Sequence, residues 1–85
     1  MDTKIALIGI MVYDPECVKR TNDLLHEYAD YIVGRMGLPY RNKGVNIISV
    51  TLDAPENVIS ALSGKLGQIP GISVKSMIAK EKKNG

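Results

Sequence analysis

Between Lys4 and Tyr13 the chain alternates two sets of side chains that are both apolar, Ile5, Leu7 and Met11 on one side and Ala6, Ile8, Ile10 and Val12 on the other. A strand that is oily front and back is central and covered twice. Asp14-Pro15-Glu16 follows, supplying an N-cap acceptor, a proline at the first helical position and an acid in the first turn. Val18, Thr21, Leu25 and Tyr28 then recur at helical spacing, flanked by Leu24 and Ala29, while Lys19, Arg20, Asp23 and Glu27 occupy the opposite side. This predicts a surface helix that ends near Asp30, where Tyr31-Ile32-Val33 favours a strand.

Residues 34–44 hold three glycines, Pro39 and the polar turn Arg41-Asn42-Lys43-Gly44, the composition of an irregular strand end and a reversal. The run 45–52 is rich in β-branched residues, with Val45 and Ile47 set against Ile48, Val50 and Leu52, and predicts a second central strand. Asp53-Ala54-Pro55-Glu56 repeats the helix-start signal, and Val58, Ile59, Leu62, Leu66 and Ile69 form the apolar stripe of a second helix capped near Gly67. Pro70-Gly71 turns the chain into a half-buried edge strand in which Ile72, Val74 and Ile78 alternate with Ser73, Lys75 and Met77. The order is βαββαβ, the α+β ferredoxin-like arrangement: a four-stranded antiparallel sheet with two helices on one face and the first and third strands in the middle.

That order carries a consequence for association. Two helices cover one face of such a sheet, yet the central strands present Ile, Val and Leu to both, so another surface must cover the second face. A copy of the same chain, in a homodimer or homotetramer, is the economical choice. Ile8, Ile10, Ile48 and Val50, in the middle of the central strands, are the residues expected at that contact.

Composition narrows the function classes. With 85 residues, 45% of them apolar and 24% charged, the chain has room for one ordinary globular domain over 1–79, followed by a basic, mobile tail over 80–85. The longest apolar run is too short to span a bilayer, no leader precedes it, and Cys17 is the lone thiol, so a reducing cytoplasmic setting is expected. A net charge of +2, with neither a helix-turn-helix pattern nor a basic recognition helix, argues against direct nucleic-acid binding.

Catalysis has no candidate constellation: no Ser/His/Asp set, carboxylate pair, phosphate-cradling glycine loop or zinc spacing is present, and the chain is not expected to be an enzyme or to hold a cofactor. Cys17 and His26 lie nine positions apart on one helix, on opposite sides, so no metal site is expected from them. Cys17 reads as a packed structural thiol and His26 as a solvent-facing side chain. Arg35, Tyr40 and Arg41 form the most suggestive polar group, because guanidinium forks clamp carboxylates or phosphates and a tyrosine adds a stacking face. The competing reading is two surface arginines and a packed tyrosine. Ser60 and Gly64, four apart on the outward side of the second helix, either admit a close neighbour or sit on a solvated face.

The stretches Tyr31-Ile-Val-Gly-Arg-Met-Gly-Leu-Pro-Tyr-Arg41, Val45-Asn-Ile-Ile-Ser-Val50 and Ser60-Ala-Leu-Ser-Gly-Lys-Leu-Gly-Gln-Ile-Pro-Gly-Ile-Ser-Val-Lys-Ser76 resemble the small ACT-like family of iron-only hydrogenase system regulators. The resemblance implies an ACT-type ferredoxin-like domain, related to the ligand-binding half of the nickel-responsive repressor, that packs into dimers or tetramers through its sheets. It implies a regulatory role, with a small-molecule effector or a protein of the hydrogenase system as partner; the alternative is a structural accessory of hydrogenase maturation that senses nothing. The chain departs from the repressor in having only His26 and Cys17 where the repressor uses several histidines and a cysteine. It departs from amino-acid-binding ACT domains in carrying Glu16 after Asp14-Pro15, where a glycine is usual.

Overall fold

The computed structural model describes residues 2–80. Positions 81–85 of the expected basic tail lie outside the described residues. The sheet has the order β2-β3-β1-β4, built from β1 (Lys4–Val12), β2 (Ile32–Tyr40), β3 (Val45–Ala54) and β4 (Ile72–Ile78), and every adjacent pair is antiparallel. The strands with two apolar faces, β1 and β3, are the central ones, as their side chains require.

α1 (Cys17–Glu27) and α2 (Glu56–Gly67) pack on one face of the sheet. Leu25 and Thr21 of α1 and Ile59, Leu62 and Leu66 of α2 are buried against Ala6, Ile8, Ile10 and Val12 of β1 and Ile48, Val50 and Leu52 of β3. The Thr21 hydroxyl, alone among the buried polar side chains of the described residues, donates back to the Cys17 carbonyl at 2.7 Å, so its burial leaves no unmet donor. At the entry to α1 the Asp14 carboxylate accepts the Glu16 amide at 3.0 Å and the Asp14 carbonyl accepts the Cys17 amide at 2.9 Å. Asp14 is therefore not the N-cap and Pro15 not the first helical residue: Glu16 holds the cap position without a side-chain hydrogen bond, and Asp14 instead closes the turn that leads into the helix.

Several expected boundaries move. A short 3-10 turn (Ala29–Tyr31) separates α1 from β2, which starts at Ile32, and the strand runs in register to Tyr40. The irregularity expected over 34–44 is confined to a bulge between Ile32 and Gly34 and to the turn Arg41–Lys43, which ends on Gly44 in the left-handed region. Asp53 does not start α2: β3 continues through it to Ala54, and Pro55 stands at the cap position. Gly67 is the last helical residue, with Gln68 at the cap.

The strand register settles which face the helices take. Ile8, Ile10, Ile48 and Val50, expected at a subunit contact, are at most 4% exposed and lie beneath the helices. They are core residues and cannot form an interface on the opposite face. That face belongs to the other alternation: Ile5, Leu7, Gly9 and Met11 of β1, Ile47, Ser49 and Thr51 of β3, Met36, Leu38 and Tyr40 of β2, and Ser73, Lys75 and Met77 of β4.

Candidate functional site

No helix of the described residues is long and apolar enough to cross a membrane. Among the same residues no three His, Cys, Asp or Glu side chains converge as metal ligands would. The features able to bind something are therefore a sheet face, a cleft beside the edge strand, and isolated polar groups.

On the open sheet face, Ile5, Leu7, Met11, Met36, Leu38, Tyr40 and Met77 are 42–67% exposed. Four strands of 7–10 residues, each about 23–33 Å long and spaced about 4.8 Å apart, give this face a footprint on the order of 500 Å²; with Ser49, Thr51, Ser73 and Lys75 taking part of it, its apolar area is within the range of the largest patches on monomers. Gly9 sits at its middle, paired with Ser49 on one side and Lys75 on the other. The missing side chain leaves an apolar depression of about 260 Å³ floored by Gly9 and bordered by Met11, Ile47 and Ser49. At its far end the Ser73 hydroxyl donates to the Tyr13 hydroxyl at 3.0 Å.

The three residues expected to act as one polar group are not brought together. Arg35 pairs with Val50 and so points to the helix side of β2, whereas Tyr40 shares the open face with Met36 and Leu38. Five residues of strand separate the two, about 16 Å. The Arg35 guanidinium donates to the Asn22 side-chain oxygen on α1 at 2.7 Å. Tyr40 and Arg41 do border one shallow hollow of about 150 Å³, together with Pro15 and Gly44 at the turn after β2.

Arg35 instead lines a cleft of about 210 Å³ between α1 and β2, with Val18, Asn22, Gly37, Asn46 and Ile48. The residues that complete it were passed over in the sequence because Asn22 belongs to neither the apolar stripe nor the charged side of the helix and Gly37 falls in the glycine-bearing stretch 34–44. The available signal was the strand alternation 35, 37, 39, which places Arg35 and Gly37 on one side once the segment is recognised as regular.

Cys17 is half-buried, and its thiol donates to the Pro70 carbonyl at 2.9 Å. It ties the start of α1 to the turn before β4, where the Tyr13 amide also donates to the Gly71 carbonyl at 2.8 Å. His26 is exposed at the other end of α1. The Lys65 ammonium stands 5.3 Å from the centre of the Tyr28 ring, and the closeness of Tyr28 raises its pKa above the ordinary lysine value. Ser60 and Gly64 are exposed on α2.

Comparison with known proteins follows the same lines. The fold matches the structure of an uncharacterized protein, TM1266, from Thermotoga maritima with a TM-score of 0.89 and 35% identity, covering 93% of this chain and 100% of that one. It also matches the C-terminal domain of the MgtC protein from Mycobacterium tuberculosis with a TM-score of 0.72 over 98% of this chain and 95% of that one; at 10% identity this likeness concerns the fold alone. No curated protein matches the chain. Residues 4–76 match the family model described as "TM1266-like: Iron-only hydrogenase system regulator, putative". With nearly the whole ordered domain inside that match, the chain belongs to the TM1266-like family of iron-only hydrogenase system regulators.

Proposed function

We propose that this domain is a regulator of an iron-only hydrogenase system that works as a homo-oligomer, its open sheet face forming the contact between copies, and that a small ligand or a protein partner acts by altering that packing. The observation that carries the reading is the row of Ile5, Leu7, Met11, Met36, Leu38 and Met77 left uncovered on the face opposite the helices. Apolar side chains at that density lose about 25 cal/mol for every Å² withdrawn from water. A face of this kind is self-complementary when two copies meet about a two-fold axis, because each contributes the same surface. Lys75 and Asp53 are the only charged side chains that the alternation puts on this face, and Asp53 lies at its end. Lys75 stands on the edge strand beside the central Gly9, so the two central strands carry no charge on this face apart from Asp53 at its end.

Leu7→Lys is the direct test, because Leu7 lies between Thr51 and Met77 in the middle rows of the face and is already 44% exposed, so the monomer fold tolerates a lysine there. Self-association should weaken at least tenfold, since a two-fold contact carries the substitution twice, while the circular dichroism spectrum stays that of the native chain. An unchanged association constant would remove the open face as the subunit contact.

A further inference from the structure

The cleft between α1 and β2 has an unusual charge balance. Of the side chains that line it, Arg35 alone is ionised; Asn22 and Asn46 bring amides, and the rest, Val18 and Ile48 among them, are apolar or, at Gly37, absent. Arg35 and Asn22 also line the neighbouring hollow, together with Asp23 and His26, and there Asp23 is ion-paired with Lys19 at 2.8 Å. Arg35 itself makes no ion pair among the described residues. It spends one hydrogen bond on a neutral oxygen, at 2.7 Å, out of the five N–H donors a guanidinium carries.

The amides complement it. With its oxygen engaged by Arg35, Asn22 directs its NH2 group elsewhere, as a second donor beside the guanidinium. Asn46 is half-buried on the cleft side of β3 and its side chain makes no hydrogen bond within the described residues. Between the two ends lies Gly37, opposite Ile48, where an added Cβ would meet nothing within 4 Å. The space above it is open, with an apolar wall of Val18 and Ile48. Arg35 and Asn46 each stand about two strand residues from this gap, roughly 7 Å along the sheet.

We propose that this cleft binds a small carboxylate bearing no ammonium group, its carboxylate on Arg35 and Asn22, its short apolar body over Gly37, and its far end at Asn46. The charge balance disfavours a zwitterion: an ammonium next to the carboxylate would face the guanidinium, and no acidic side chain lines this cleft to take it. The proposal names the ligand class within the regulatory reading above and rests on that reading for its role, but its geometry is independent of how copies associate.

The test is a titration of the isotope-labelled full chain with 2-oxobutyrate, followed by amide and arginine side-chain NMR, with 2-aminobutyrate and inorganic phosphate as comparators and sedimentation of the same samples. Binding of 2-oxobutyrate should shift the signals of Asn22, Arg35, Gly37 and Asn46 together, at least tenfold more tightly than 2-aminobutyrate or phosphate. Arg35→Gln and Gly37→Ala, the latter adding a Cβ that meets nothing within 4 Å, should each weaken it at least tenfold, and Arg41→Gln should leave it unchanged. Absence of clustered shifts, equal binding of phosphate or the zwitterion, or indifference to Arg35→Gln would overturn the site. A sedimentation pattern that ignores bound 2-oxobutyrate would leave the site standing and refute the coupling to assembly.

Discussion

Two glycines in the left-handed region allow the steric and conformational costs of one substitution to be separated. Gly44 has φ +64° and Gly71 φ +79°. A Cβ on Gly44 would meet nothing within 4 Å, whereas one on Gly71 would lie 2.9 Å from the Asp14 Cβ and 3.5 Å from the Cys17 sulfur. Gly44→Ala should therefore cost only the left-handed conformation, about 1–2 kcal/mol, less the 0.4–1 kcal/mol or so gained by stiffening the unfolded chain, leaving about 1 kcal/mol. Gly71→Ala bears that cost and a contact that side-chain rotation cannot relieve, because the Asp14 Cβ is bonded to the backbone. Overpacking of this kind adds about 1–3 kcal/mol, for a total of about 2–4 kcal/mol.

Urea unfolding of both variants at equal chain concentration reads the difference. With an m-value near 1 kcal/mol/M for a domain this small, the Gly71→Ala midpoint should fall about 1 M or more below that of Gly44→Ala. Coincident midpoints would show that the turn before β4 does not grip the β1–α1 loop through Asp14 and Cys17.

Ser63→Ala should raise stability by about 1 kcal/mol, because the Ser63 hydroxyl is buried without a hydrogen-bond partner and its removal ends an unmet desolvation cost; a lower melting temperature would contradict this. Lys19 should titrate above the ordinary lysine value, since its hydrogen bond to Asp23 and then the Asp23 charge favour the ammonium. A folded-state pKa above the unfolded one means that the pair's stabilisation is present below the ordinary lysine pKa and fades as the pH climbs through the raised value. Asp23→Asn should return Lys19 to the ordinary range in an NMR titration of its side chain.

The architecture was legible because three of the four strands and both helices announce themselves by period: the two-sided apolar runs of β1 and β3 placed them centrally, and the Ser73, Lys75 and Met77 alternation placed β4 at an edge. Which side of the sheet the helices take was harder. In β1 both alternations are apolar, so Ile8 and Ile10 look no different from Leu7 and Met11. The deciding signal lay one strand away, in β3, where Ile48, Val50 and Leu52 alternate with Ser49, Thr51 and Asp53, so the polar set marks the face without helices.

The polar group around β2 failed for a related reason. Glycines and a proline made the strand read as an irregular strand end and a reversal, and only its alternation from Gly34 onward reveals that Arg35 and Tyr40 must point to opposite sides. The Arg35–Asn22 contact joins residues 13 apart across the helix-to-strand connection, and its geometry depends on how α1 lies over the edge of the sheet. Local pattern carries no information about that placement.

Sedimentation equilibrium across a dilution series from millimolar to sub-micromolar chain tests the self-association of the open face most directly. The expected result is a mass at least twice that of the 9.3 kDa chain at the upper concentrations, falling towards the single chain on dilution, with Leu7→Lys shifting the whole curve to higher concentration. A mass of one chain throughout the series would contradict the account.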